Sequence, residues 1–142
     1  MLRRNRKGKR FLVGSLEVAA NKLLKVLRVR NATVGVFLLS GKEIESLKSR
    51  FLKNKKKKGP TDVLAFPEPR NFPHPEGRKR YLGDIYLNKD LQSGDNRFSF
   101  LLIHGLLHIL GFSHKRRRDI LKMESLEKKL LDKLFKQEKK IF

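Results

Sequence analysis

At 142 residues and 39% hydrophobic, the chain is long enough for one folded domain and too apolar for a disordered one. It has no cysteine, which excludes disulfides and thiolate metal ligands and leaves His, Asp and Glu for any metal site. Lys and Arg total 35 against 14 Asp and Glu, so a net charge of +21 attracts polyanions, nucleic acid ahead of anionic membrane.

The first ten residues, MLRRNRKGKR, read as a basic tail, with residues 11–142 as a single domain. The Arg-rich, nearly acid-free start has the composition of an organelle transit segment, and Glu17 breaks the apolar region a secretory signal needs. Ser15 is a candidate N-cap. Leu16, Ala19, Ala20, Leu23, Leu24 and Leu27 recur at helical spacing and predict a helix over 15–30. ATVGVFLL, 32–39, is a strand by its β-branched and apolar content. Ser40 with Glu43 matches a capping box, so a helix opens there and runs to about Leu52.

KNKKKKGP, 53–60, is a charged loop, followed by a short strand at TDVLAF, 61–66. Four prolines between 67 and 75 allow neither helix nor ladder, and His74 among them reads as a surface residue. YLGDIYL, 81–87, is a strand with one buried face. An apolar helix follows from near Asn96 to Gly111. An amphipathic helix from about Lys115 places Ile120, Met123, Leu126, Leu130 and Leu134 on one stripe. The order predicts an α+β domain, a small mixed sheet of about four strands covered by helices. No run is long and apolar enough to span a bilayer.

Three of the four histidines fall in FLLIHGLLHILGFSH, 100–114. His104 and His108 are four residues apart, on one helix face, and both rings can approach one cation. Gly111 is the residue type that ends a helix in a left-handed turn, which swings His114 towards the same point. Three neutral imidazoles leave a fourth position for water, the layout of a catalytic site on a central His-bearing helix. Zinc peptidases of the metzincin type place a general-base glutamate directly after the first histidine. Position 105 here is glycine, and no Asp or Glu occurs from 96 to 118.

HGLLHILGFSH resembles the signature of the YbeY family of rRNA maturation factors, His-Gly-xx-His-Leu-x-Gly-Tyr-Asp-His. PTDVLAFP, 60–67, is similar to that family's Pro-Thr-Asp-Val-Leu-Ser-Phe-Pro, and LGDIYLN, 82–88, to its Leu-Gly-Asp-Ile segment. The resemblance covers about residues 15–135. It implies a metal-dependent, single-strand-specific endoribonuclease of the small-subunit rRNA 3′ end, acting also in ribosome quality control. His104, His108 and His114 would hold one divalent ion, most often zinc. The implied partners are rRNA, the small ribosomal subunit, ribosomal proteins and an assembly GTPase, in the cytoplasm and away from membranes.

An arginine that the family carries five residues before Pro-Thr-Asp is Lys55 here, a positive charge without the planar fork. Phe112 and Ser113 stand for the family's tyrosine and aspartate. Under this reading Lys55 stabilises the phosphorane charge. Asp84 accepts an imidazole N–H from behind, Ser113 serves beside the last histidine, and Thr61 and Asp62 shape the strand start at the cleft. Lys55, Lys56, Lys57, Lys58, Arg78, Lys79, Arg80, Arg116 and Arg117 contact the RNA backbone, with Tyr81 stacking on a base. Gly83 and Gly105 permit close packing. Two other readings are a ribosome-assembly RNA-binding factor with a structural metal and, lacking a glutamate at 105, a metallopeptidase.

Overall fold

The computed structural model describes residues 15–51, 61–69, 79–90, 95–112 and 116–141. It is a single small α+β domain. The first helix, α1, is described from residue 15 to 26. Strand β1 (Ala32–Leu39), helix α2 (Gly41–Phe51) and strands β2 (Val63–Pro67) and β3 (Arg80–Asn88) follow. Helices α3 (Asp95–Ile109) and α4 (Arg117–Ile141) complete the order.

α1 stops short of the expected residue 30. Its C-terminus closes by two bonds, Val29 N–H to Leu24 O at 2.9 Å and Arg28 N–H to Lys25 O at 3.0 Å. That pattern requires a left-handed residue, and Arg28 supplies it at φ 60°. Asn31, also left-handed at φ 57°, then turns the chain into β1. α2 starts where its capping box predicts. Ser40 Oγ accepts the Glu43 N–H at 3.2 Å, and Glu43 Oε1 accepts the Ser40 N–H at 3.1 Å. Hydrogen bonding to the carboxylate, from the Ser40 backbone N–H first and the Ser40 hydroxyl second, holds the Glu43 carboxyl below its ordinary range.

The described sheet has three strands in the order β1-β3-β2, fewer than the expected four. Every other described segment is helical in its period or a short connection, so none is left to pair with an edge. β3 runs parallel to β1 and antiparallel to β2. Against β1, Thr33 pairs with Tyr81 but Gly35 pairs with Asp84, so β3 carries one extra residue. The irregularity falls at Leu82–Gly83, where Gly83 has φ 151°. A Cβ at Gly83 would meet the Phe66 carbonyl and come within 2.8 Å of Pro67 Cα. Only glycine permits that backbone approach. The extra residue resets the alternation, so Tyr81, Asp84 and Tyr86 share one face.

The other face carries Val34, Val36, Ile85 and Leu87. With Leu16, Ala20, Leu23 and Leu24 of α1 and Leu102, Ile103, Leu106 and Leu107 of α3 they form the main core. Met123 and Leu130 bring α4 against the same core. Gly105 lets α3 lie directly on the sheet: a Cβ there would come within 2.9 Å of Ile85 Cγ2 and 3.3 Å of Val63 Cγ2. α2 covers part of the opposite face, where Ile44 is fully buried.

Candidate metal centre

α3 is buried on most of its circumference, and His104 and His108 interrupt its apolar surface one turn apart. Their rings are edge-on, with centroids 4.6 Å apart, and the two Nε2 atoms approach to 3.1 Å. Nitrogens bound at 2.0–2.1 Å to one tetrahedral ion lie about 3.3 Å apart. The pair therefore already has the bite of a two-imidazole chelate. Phe100, one turn earlier, lies over His104 at 6.3 Å between centroids.

After His108 the helix ends in a two-bond left-handed closure. Phe112 N–H donates to Leu107 O at 3.0 Å and Gly111 N–H to His108 O at 3.1 Å, with Gly111 at φ 101°. The helix thus ends at the glycine the sequence pointed to. His114 and Ser113 lie outside the described residues, and among the described residues no group of three ligating side chains gathers. An all-imidazole pair with this bite fits a borderline divalent ion such as zinc.

The sequence reading missed Glu127. It sits on α4, 4% exposed, with Oε1 3.5 Å from His104 Nδ1. A carboxylate behind a ligand imidazole holds the proton on Nδ1 and leaves the Nε2 lone pair facing the ion. The signal was available. Position 127 falls between Met123 and Leu130 in the apolar register of α4, where a charged residue has no packing reason to be.

His108 also lines a cleft of about 710 Å³ with Gly111, Pro67, Glu68, Arg80 and Tyr81. This brings Arg80 and Tyr81 beside the histidine helix. Asp84 lies on the opposite sheet face and accepts hydrogen bonds from both tyrosines, Tyr81 and, at 3.4 Å, Tyr86. Burial first, and the Asp84 carboxylate second, push the Tyr81 phenol well above its ordinary range. Tyr86 is raised by burial and by the Asp84 charge. Thr61 and Asp62 are pinned to the end of β3. Buried Asn88 donates from Nδ2 to Thr61 O at 3.1 Å, and its N–H to Asp62 O at 2.9 Å. Lys79, Arg80, Arg116 and Arg117 are exposed, whereas Lys55, Lys56, Lys57, Lys58, Arg78, His74 and the tail 1–10 lie outside the described residues.

Among the described residues no helix is long and apolar enough to cross a membrane. The model of the family described as endoribonuclease YbeY matches residues 5–135. A protein of Phytoplasma australiense named endoribonuclease YbeY is 30% identical over 139 residues, 92% of this chain and 93% of its own length. That of Aquifex aeolicus is 30% identical over 131 residues, 85% of this chain and 83% of its own. That of Ehrlichia canis is 34% identical over 110 residues, 71% of this chain and 66% of its own.

Proposed function

From the premise that the chain belongs to the endoribonuclease YbeY family, we propose that it is a metal-dependent endoribonuclease that cuts single-stranded RNA. The observation that carries the reading is the convergence of His104 and His108 through their Nε2 atoms at 3.1 Å, beside a cleft that also holds Arg80. His104, His108 and His114 would hold one divalent ion, zinc first. When bound, that ion supplies Lewis acidity to the scissile phosphate and acidifies its water.

The protein's own groups do the rest. Glu127 fixes the tautomer and tilt of His104. Arg80 draws the phosphate backbone into the cleft, and Lys55 offers charge to the phosphorane. Lys79, Arg116 and Arg117, with Lys56, Lys57, Lys58 and Arg78, extend the positive field along the strand. Gly105, pressed against Ile85 and Val63, occupies the position where a peptidase would carry its base. The substrate in this reading is the 3′ end of small-subunit rRNA in the cytoplasm. Its partners are the small ribosomal subunit, ribosomal proteins and an assembly GTPase.

The test is incubation of the full chain with a labelled rRNA 3′-end transcript, with and without chelator, and with His108→Ala. The reading predicts cleavage by the untreated protein alone. Equal cleavage in all three conditions overturns it. Binding without cleavage leaves an RNA-binding assembly factor with a structural metal.

A further inference from the structure

The sheet face turned away from the core carries a continuous row of aromatic rings. Phe37 stacks on Tyr86 with centroids 5.1 Å apart. Tyr86 meets Phe66 edge-on at 5.8 Å, and Phe66 meets Phe51 edge-on at 5.8 Å. At the other end Tyr81 reaches over Gly35. Any side chain at Gly35 would collide with the Tyr81 hydroxyl and come within 2.8 Å of the Phe37 ring. The extra residue in β3 puts Tyr81 on this face at all. Three of the rings are open to solvent: Phe37 at 42%, Tyr81 at 38% and Phe51 at 64% exposure. Contiguous aromatic exposure of this kind marks a binding surface rather than the scattered apolar surface of a typical domain.

Two features of the row identify its occupant. It is flanked by a positive excess: Lys42 and Arg50 of α2, against one carboxylate, Glu43, border a cavity of about 390 Å³ that Tyr86 also lines. Its Tyr81 end also lies next to the histidine cleft: Tyr81 is one of the residues lining that cleft with His108 and Arg80, while its ring reaches over Gly35 on the outer sheet face. Asp84 takes hydrogen bonds from both phenols, which holds the two tyrosine rings in place before anything binds. Pre-ordered rings beside cations suit unpaired bases on a phosphate backbone, and a duplex keeps its base faces occupied.

We propose that the row from Tyr81 through Phe37, Tyr86 and Phe66 to Phe51 is a base-stacking track that holds single-stranded RNA leading out of the His108 cleft. The proposal rests on the endoribonuclease reading and adds where the strand lies. It makes the preference for single strands a property of this face rather than of the metal centre.

The chain has no tryptophan and only two tyrosines, both on the track, so its intrinsic emission reports this surface. The experiment titrates the full-length protein with a single-stranded RNA oligonucleotide and with its duplex. It follows tyrosine emission and fluorescence anisotropy for the unaltered protein, Phe37→Leu and Phe37→Trp. Stacking is worth roughly five- to 150-fold in affinity per base. Quenching of tyrosine emission by the single strand is expected. Phe37→Leu, which keeps an apolar side chain, should weaken binding about tenfold or more, and Phe37→Trp should restore it. Single-strand affinity unchanged in Phe37→Leu overturns the track and leaves the row to a protein partner, as does equal affinity for the duplex. Metal-dependent cleavage of the same strand by the unaltered protein and by His108→Ala separates the two claims: cleavage lost in His108→Ala, together with normal binding of the single strand by Phe37→Leu, sinks the track and spares the nuclease.

Discussion

Replacing Glu127 with leucine should lower fold stability and metal affinity together. The carboxylate is 4% exposed and lies in register with Met123 and Leu130 on the apolar stripe of α4. Its Oε1 lies 3.5 Å from His104 Nδ1. At an effective dielectric of 20, unit charges at this distance attract by about 4.7 kcal/mol. A neutral imidazole returns only a fraction of that. A leucine of similar reach removes the desolvation cost of the carboxylate but leaves the His104 Nδ1 donor without this acceptor, so the metal-free variant should lose about 1–3 kcal/mol. The ion in turn loses the group that fixes His104, and carboxylates in that position are typically worth 10–100-fold in metal affinity, roughly 1.4–2.7 kcal/mol. Thermal melts of chelated protein give the first quantity, and zinc titration against a competing chelator gives the second. Glu127→Gln, which keeps an acceptor for the Nδ1 proton, should recover part of the affinity. Zinc affinity that is the same in Glu127→Leu and the parent, or a chelated leucine variant that melts above the parent, would refute this.

Four further outcomes follow from the same fold. Arg28→Gly should stabilise the protein by about 1 kcal/mol in denaturant melts, because it removes a left-handed non-glycine residue from the end of α1; a loss of stability would contradict this. Ser40→Ala should cost about 1 kcal/mol by uncapping α2. The reciprocal bond, from the Ser40 N–H to the Glu43 carboxylate, depends on an ionised Glu43 with a depressed pKa. It is therefore present above the ordinary carboxylate range and fades as pH falls through the lowered value, so the parent and Glu43→Gln should converge in acid melts while the Ser40→Ala deficit persists. Tyr81 and Tyr86, with raised pKa values, stay protonated in the fold after an unfolded chain would ionise. Their stabilisation is complete below the ordinary phenol value of 10.0 and is lost as pH climbs beyond it, visible as a delayed tyrosinate absorbance that shifts downward on unfolding. Gly105→Glu should not create a peptidase: its Cβ would enter the Ile85–Val63 contact, and overpacking together with a buried carboxylate should cost at least about 3 kcal/mol, read as a collapse of the melting temperature.

What the sequence made legible was whatever local periodicity and capping chemistry encode. His104 and His108 could be placed on one face because an α-helix repeats every 3.6 residues, and Gly111 could be placed at its end because few residues tolerate a left-handed backbone. The Ser40–Glu43 box set the start of α2 for the same local reason. Arg28 shows the limit: nothing in its identity announces a left-handed conformation, which the two-bond closure at the end of α1 requires. The extra residue at Leu82–Gly83 was equally hidden, because a register shift exists only between strands. Without it, Tyr81 would face away from Tyr86, and the aromatic row could not be assembled from alternation alone. Glu127 was readable as a charge out of register on α4, but its partner, twenty-three positions earlier on another helix, was not.

The most direct test adds zinc in steps to chelated, full-length protein and follows both occupancy and cleavage of a single-stranded RNA. The account predicts that cleavage rises with bound zinc and saturates near one ion per chain, and that His104→Ala and His108→Ala each abolish both the binding and the cutting. Cleavage that is full before any metal is added, or that survives in either histidine variant, would contradict it.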